Sequence, residues 1–204
     1  MSEDDALRYG PLRPDTTVHL CVDMQRLFAE DTPWRTPWMT RVTPAVARLV
    51  EPRPERTIFT RFVPARRPGE GEGTWKRYYE RWADVTVERI GDDMVDLVPD
   101  LRRFAPPARV LDKKVYSPWI DAGLEGVLRD MKADTVVVSG GETDVCVLAA
   151  VLGAVDRGYR VVVATDALCS SSDETHDAMM TLYHRRYGQQ VETAATDVIL
   201  RDWR

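Results

Sequence analysis

Histidine is scarce in this chain, three in 204 residues, and cysteine is no commoner, again three. Cys21, Cys146 and Cys169 form no CxxC pair and have no histidine at ligand spacing. A structural zinc and a disulfide framework are therefore excluded as organising features. No apolar run reaches the roughly 18 residues of a membrane span. The opening M-S-E-D-D-A-L-R is acidic, unlike a secretory signal, so the expectation is a cytoplasmic protein with no membrane partner. An excess of positive charge is also missing: Lys and Arg number 28 against 33 Asp and Glu, a net charge of −5. That balance argues against a nucleic-acid partner. Fixed-period repeats, low-complexity tracts and heptads are absent too.

What remains is an ordinary globular composition, 44% hydrophobic and 30% charged. A chain of this length can bury about 70% of its unfolded surface, so one domain over residues 1–204 is expected. Residues 1–16, with Pro11 and Pro14, read as a polar arm that lies on the surface or reaches toward a neighbouring subunit.

The most informative stretch runs from Ala133 to Gly158. A β-branched run, Thr135 to Val138, meets Ser139, Gly140 and Gly141, and a nearly all-apolar helical segment follows to about Asp156. This is the pattern of a buried parallel strand feeding a helix through a tight turn. Thr143 is the expected N-cap, which places Cys146 in the first helical turn, where the helix dipole favours a thiolate. Cys146 reads either as a nucleophile or as a small buried hydrophobe, the usual fate of a free cysteine.

Two other strand ends carry complementary chemistry. Thr17 to Val22 is β-rich and ends at Asp23-Met24-Gln25, so Asp23 is either a turn residue or a functional carboxylate. A short strand, A-R-V-L, leads into Asp112-Lys113-Lys114-Val115-Tyr116-Ser117-Pro118-Trp119. Between them, Arg56 to Phe62 is a second strand, and Arg61 at its end is a candidate to hold a substrate carboxylate or carbonyl.

The rest of the chain alternates in the same way. Leu27 to Met39, with Trp34 and Trp38, is a lid over a pocket or a packed surface loop, and Thr40 to Val50 is a helix ended by Pro52. Residues 63–93 are an insertion whose T-W-K-R-Y-Y-E-R-W segment puts Trp75, Tyr78, Tyr79 and Trp82 on one helical face, more often core or subunit interface than ligand box. Ile120 to Met131 is a helix, Tyr159 to Thr165 a strand, and Glu174 to Tyr187 a helix capped by Ser172 or Asp173. Val191 to Thr193 and Ala195 to Leu200 close the chain as strand and helix. The fold class is α/β: a doubly wound, Rossmann-like, three-layer α/β/α arrangement with a mostly parallel sheet of about six strands.

In such a sheet, strand carboxyl ends gather at one edge, which would bring Asp23, Lys113 and Cys146 together. With V-D-M-Q, D-K-K-V-Y-S-P-W and G-G-E-T-D-V-C-V in that order, nearly the whole chain resembles the isochorismatase-like cysteine hydrolases. The resemblance implies Asp23 as general base, Cys146 as nucleophile and Lys113 as the supporting cation, with Lys114 one place off the pattern. It also implies a cis peptide at Gly141-Glu142 and an oxyanion site made by the backbone N–H groups of Glu142 and Cys146. Gln25, Arg61, Tyr116 and Trp119 are the candidate substrate-binding residues; Trp119 stands where the family has Phe, and Pro118 replaces a small residue.

The family's nicotinamidases carry a D-x-H…H metal site after the second strand, where this chain has Thr60-Arg61-Phe62. No metal and no cofactor are therefore expected, and His19 and His184 read as packing or surface residues. The expected activity is C–N hydrolysis of a small amide or ureido molecule through a thioester. A vinyl-ether hydrolase of the isochorismatase type and a non-catalytic binding protein are the alternatives. The resemblance also implies a homodimer or homotetramer, with the segments around Trp38 and Trp82 as interface material.

Overall fold

Valine runs set the architecture. The computed structural model describes residues 6–203, so residues 1–5 of the expected arm lie outside the described residues. In chain order the elements are β1 (Thr17–Val22), α1 (Arg26–Ala29), α2 (Met39–Val50), β2 (Thr57–Phe62), α3 (Thr74–Arg81), α4 (Val87–Ile90) and α5 (Pro99–Arg102). They continue with β3 (Arg109–Lys113), α6 (Leu124–Asp130), β4 (Thr135–Gly141), α7 (Cys146–Asp156), β5 (Arg160–Cys169), α8 (Asp173–Arg185), β6 (Val191–Ala194) and α9 (Thr196–Asp202).

The strands form one six-stranded sheet in the order β3-β2-β1-β4-β5-β6, and every pairing is parallel. A parallel central strand is covered on both faces, so its side chains must be apolar in both directions. β4 does this with Val137 in one core and Val136 and Val138 in the other. The first core takes α1, α2, α5 and α9 through Leu27, Val46, Leu101 and Ile199. The second takes α6, α7 and α8 through Leu128, Val151 and Tyr183. Each such buried aliphatic side chain is worth about 1.5–3 kcal/mol. The helices thus lie on both faces, as the doubly wound reading requires.

Two elements away from the Cys146 turn differ from expectation. The helix expected from Ile120 begins only at Leu124, because Gly123 before it takes a left-handed conformation, φ 69°. β5 runs on to Cys169 rather than stopping at Thr165, since after a register shift Leu168 and Cys169 pair with Gly140 and Gly141. The described part of the arm lies on its own chain: Leu7 and Leu12 are buried, and their N–H groups donate to Asp202 at the end of α9.

Strand order reverses between β1 and β4, the switch point at which open α/β sheets bind ligands. The two strands approach closely there. Gly140 has φ 108°, and a Cβ on it would stand 2.1 Å from the Val22 carbonyl oxygen. Only glycine admits that contact.

Candidate active site

Asp23 follows β1 with φ 50°, a left-handed conformation that Asp tolerates better than most residues. Its N–H donates to the Thr60 carbonyl at 3.2 Å, and its Oδ1 accepts from the Thr60 hydroxyl at 2.6 Å. Lys113 ends β3, two strands away. Two strand spacings are about 9–10 Å, so only a long side chain closes the gap. The Lys113 stem passes over Phe62 of the intervening strand, its Nζ 5.0 Å from the ring centroid, and reaches Asp23 Oδ2 at 2.6 Å. The same ammonium donates to the Val115 carbonyl at 3.2 Å and lies 3.4 Å from Cys146 Sγ. The structure therefore brings Asp23, Lys113 and Cys146 to one point at the switch point.

All three are buried, which sets their ionisation. Burial would lower the Lys113 ammonium, but the charges of Asp23 and Cys146 more than offset it and hold it above its ordinary value. Burial, and then the carboxylate of Asp23, push the Cys146 thiol well up, with Lys113 opposing. Burial and Asp23 thus oppose the thiolate that the helix dipole alone would favour at Cys146.

The helix begins two residues later than an N-cap at Thr143 would place it, with Cys146 itself as its first residue. Thr143 is not the N-cap; its hydroxyl is engaged by the Cys169 carbonyl at 3.1 Å and by His176 Nδ1 at 2.9 Å. The peptide Gly141-Glu142 is cis. The Glu142 carbonyl accepts from Val145 and Val147, which folds the turn back so that Gly141, Glu142 and Cys146 share one cavity wall.

That cavity holds about 240 Å³ and is lined by Phe28, Trp34, Arg35, Phe62, Tyr78, Trp82 and Tyr116 together with the turn. The aromatic rings pack on one another, Trp34 lying 6.1 Å from Phe28, 5.7 Å from Tyr78 and 6.1 Å from Trp82. Of the two readings of the 27–39 loop, its Trp34 takes the role of a wall over the site. The helical face of the insertion divides: Tyr78 and Trp82 line this cavity, while Trp75 and Tyr79 line a larger one of about 870 Å³ on the other side of α3. The larger cavity does not include Cys146. Trp82 lines the Cys146 cavity, whereas Trp38 is 43% exposed beside Arg41.

Of the candidate substrate-binding residues, Tyr116 lies in the cavity and three do not. Arg61 faces the larger cavity and gives its guanidinium to Asp112 at 2.7 Å and Asp96 at 3.0 Å. Gln25 is fully buried, its amide bonded to the N–H and carbonyl of Phe62 and to the Val95 carbonyl, so it fixes the end of β2 instead of a ligand. Trp119 lies against α7: its indole donates to the Ala150 carbonyl at 2.9 Å and its ring stacks on Tyr159. Gly153 leaves the room for it. Lys114 alternates to the side opposite Lys113 and lines the larger cavity.

Sequence reasoning missed Arg35, Tyr78 and Trp82 as parts of the cavity wall. The Pro33-Trp34-Arg35 stretch has no periodicity, and an apolar helix face does not say what it faces. His19, on β1, is buried between Ser139 of β4 and Thr57 of β2, consistent with a packing role. Among the described residues, no three of His, Cys, Asp and Glu stand close enough to hold a metal ion.

The profile of the isochorismatase domain matches residues 17–195. The chain belongs to the isochorismatase family of hydrolases. The family member from Pseudomonas syringae described as a cysteine hydrolase superposes with a TM-score of 0.80 over 100% of this chain and 98% of its own, at 24% identity. N-carbamoylsarcosine amidase from Thermoplasma acidophilum superposes with a TM-score of 0.71 over 89% and 97% of the two chains, at 23% identity. A maleamate amidohydrolase of Pseudomonas putida is 28% identical over 82 residues, 40% of this chain and 38% of its own. The chain spans about half or less of the length of the curated family relatives it matches. No helix among the described residues is long and apolar enough to cross a membrane.

Proposed function

We propose that this family member hydrolyses the C–N bond of a small amide or ureido substrate, with Cys146 as nucleophile. The observation that carries the reading is the Lys113 ammonium, 2.6 Å from Asp23 and 3.4 Å from Cys146 under an aromatic pocket. The substrate carbonyl enters beside Cys146; the thiol proton passes to Asp23 as sulfur bonds to the carbonyl carbon. Lys113 keeps its charge against both partners. The oxyanion is received by the backbone N–H groups of Glu142 and Cys146, where losing one donor costs about 3–4 kcal/mol in comparable sites. Asp23 then returns the proton to the leaving nitrogen, the C–N bond breaks, and ammonia or an amine departs. Water, deprotonated by Asp23, cleaves the thioester to a carboxylic or carbamic acid and restores the thiol. The amidases among the relatives support this choice over ether cleavage.

The test is a panel of carboxamides and ureido acids, with isochorismate as the ether control, run on wild type, Cys146→Ala and Asp23→Asn while amine release and intact mass are followed. Amine release with a transient acyl adduct on Cys146, lost in both variants, is expected. Consumption of isochorismate alone, or turnover that survives Cys146→Ala, would sink the reading.

A further inference from the structure

We propose that Arg35 reads the charge of the substrate, holding an anionic group of a small flat molecule in the Cys146 pocket. The inference rests on the proposed hydrolysis only for which group reacts; the binding step stands without it.

Arg35 lines the same cavity as Cys146 and, among the described residues, its guanidinium has no ion pair and no hydrogen bond. Arg61, Arg66 and Arg67 are already engaged, by Asp96 and Asp112, by Asp92 and by Glu88, and among the described residues no arginine or lysine besides Arg35 lines the Cys146 pocket. Lys113 is committed to Asp23. The acid that lines the pocket, Glu142, has Oε1 occupied by the Ser171 N–H at 2.9 Å. Arg35 is therefore the pocket's uncommitted cation, and its planar fork suits a carboxylate.

The loop that carries it is fixed beforehand. The Thr32 hydroxyl donates to the Leu27 carbonyl at 2.7 Å and accepts from Trp34 N at 3.1 Å. The Arg35 N–H donates to the Thr32 carbonyl at 3.0 Å, and that of Thr36 to Phe28 at 2.7 Å. Trp34, the preceding residue, is held within the aromatic cluster. A cation on an already ordered loop spares the backbone share of the ordering cost when it captures an anion. The remaining walls, Phe28, Phe62, Tyr78, Trp82 and Tyr116, offer ring faces and edges. They select a flat body, and about 240 Å³ falls below the roughly 300–1,000 Å³ of drug-sized sites.

The experiment is equilibrium binding of benzoate and of neutral benzyl alcohol, read by tryptophan fluorescence from Trp34 and Trp82, in wild type, Arg35→Met and Arg35→Lys. Wild type is expected to bind benzoate more tightly than the alcohol. Arg35→Met should weaken benzoate about tenfold and the alcohol less than about twofold, with Arg35→Lys in between. Benzoate binding unchanged in Arg35→Met, equal weakening of both probes, or no binding of benzoate to wild type would each overturn the inference. Arg35-dependent benzoate binding in a protein that releases no amine would leave Arg35 in place and remove the hydrolysis; amine release with Arg35-independent benzoate binding would do the reverse.

Discussion

Lys113 Nζ lies 2.6 Å from Asp23 Oδ2, and the two side chains are 0% and 1% exposed. Breaking a buried pair by removing one partner leaves the other charge uncompensated, at a cost of about 3–5 kcal/mol. Lys113→Met is expected to lose that much in urea unfolding. The double variant Lys113→Met, Asp23→Asn should recover part of the loss, because no lone carboxylate remains. A double variant as unstable as the sum of the single ones would mean that the pair is not coupled.

The Cys146 thiol is pushed up by burial and by Asp23 and pulled down by Lys113. Its alkylation by iodoacetamide should therefore climb with pH through the neutral range. Asp23→Asn removes an opposing charge and should speed alkylation at any one pH while abolishing turnover, and Lys113→Met should slow it. Cys21 and Cys169, both pushed up by burial and outside the Cys146 pocket, should stay unlabelled in peptide mass maps. Equal labelling of all three would contradict the arrangement.

His19 is lowered to about 3 by burial. Its neutral form is the folded one, so its contribution is complete above pH 6.5, where the unfolded histidine is also neutral. Below that the unfolded chain takes up a proton first, and stability falls as pH drops toward 3, at about 1.4 kcal/mol per unit. His19→Gln should be less stable than wild type at pH 7 but show a shallower decline between pH 6 and 4 in denaturant titrations. Parallel curves would remove His19 as a source of acid sensitivity.

At Gly140 an added Cβ meets backbone of β1, whereas at Gly158, φ 79°, it meets nothing within 4 Å. Gly158→Ala should cost only about 1–2 kcal/mol, the penalty of a left-handed alanine. Gly140→Ala should fail to give folded protein at all, because neither strand can retreat without breaking its ladder. Circular dichroism and soluble yield of the two variants make the comparison.

The strands were legible because a parallel sheet needs unbroken apolar runs, and T-V-V-V and R-V-V-V have no other good use. The three catalytic candidates were legible because each stands at or just after the end of a different strand. Arg61 was misread for a reason no local pattern contains: Asp96 and Asp112, its partners, come from a turn and a neighbouring strand. Arg35 was overlooked for the converse reason, since its value lies in a partner it lacks. Gln25 and Trp119 sit beside motif residues, and adjacency in sequence says nothing about which way a side chain turns.

The close contact of Lys113 with both Asp23 and Cys146 has a consequence for the electrostatic cost of reaction. With ammonium, carboxylate and thiol, the trio carries no net charge; after a proton moves from sulfur to carboxylate, it still carries none. The negative charge migrates around a stationary positive one, so the ion pair is exchanged, never created. A dry interior penalises new charge far more than the relocation of an existing one. In the proposed hydrolysis, nucleophile activation would then proceed where water is excluded, and that same exclusion would protect a thioester until the intended water arrives.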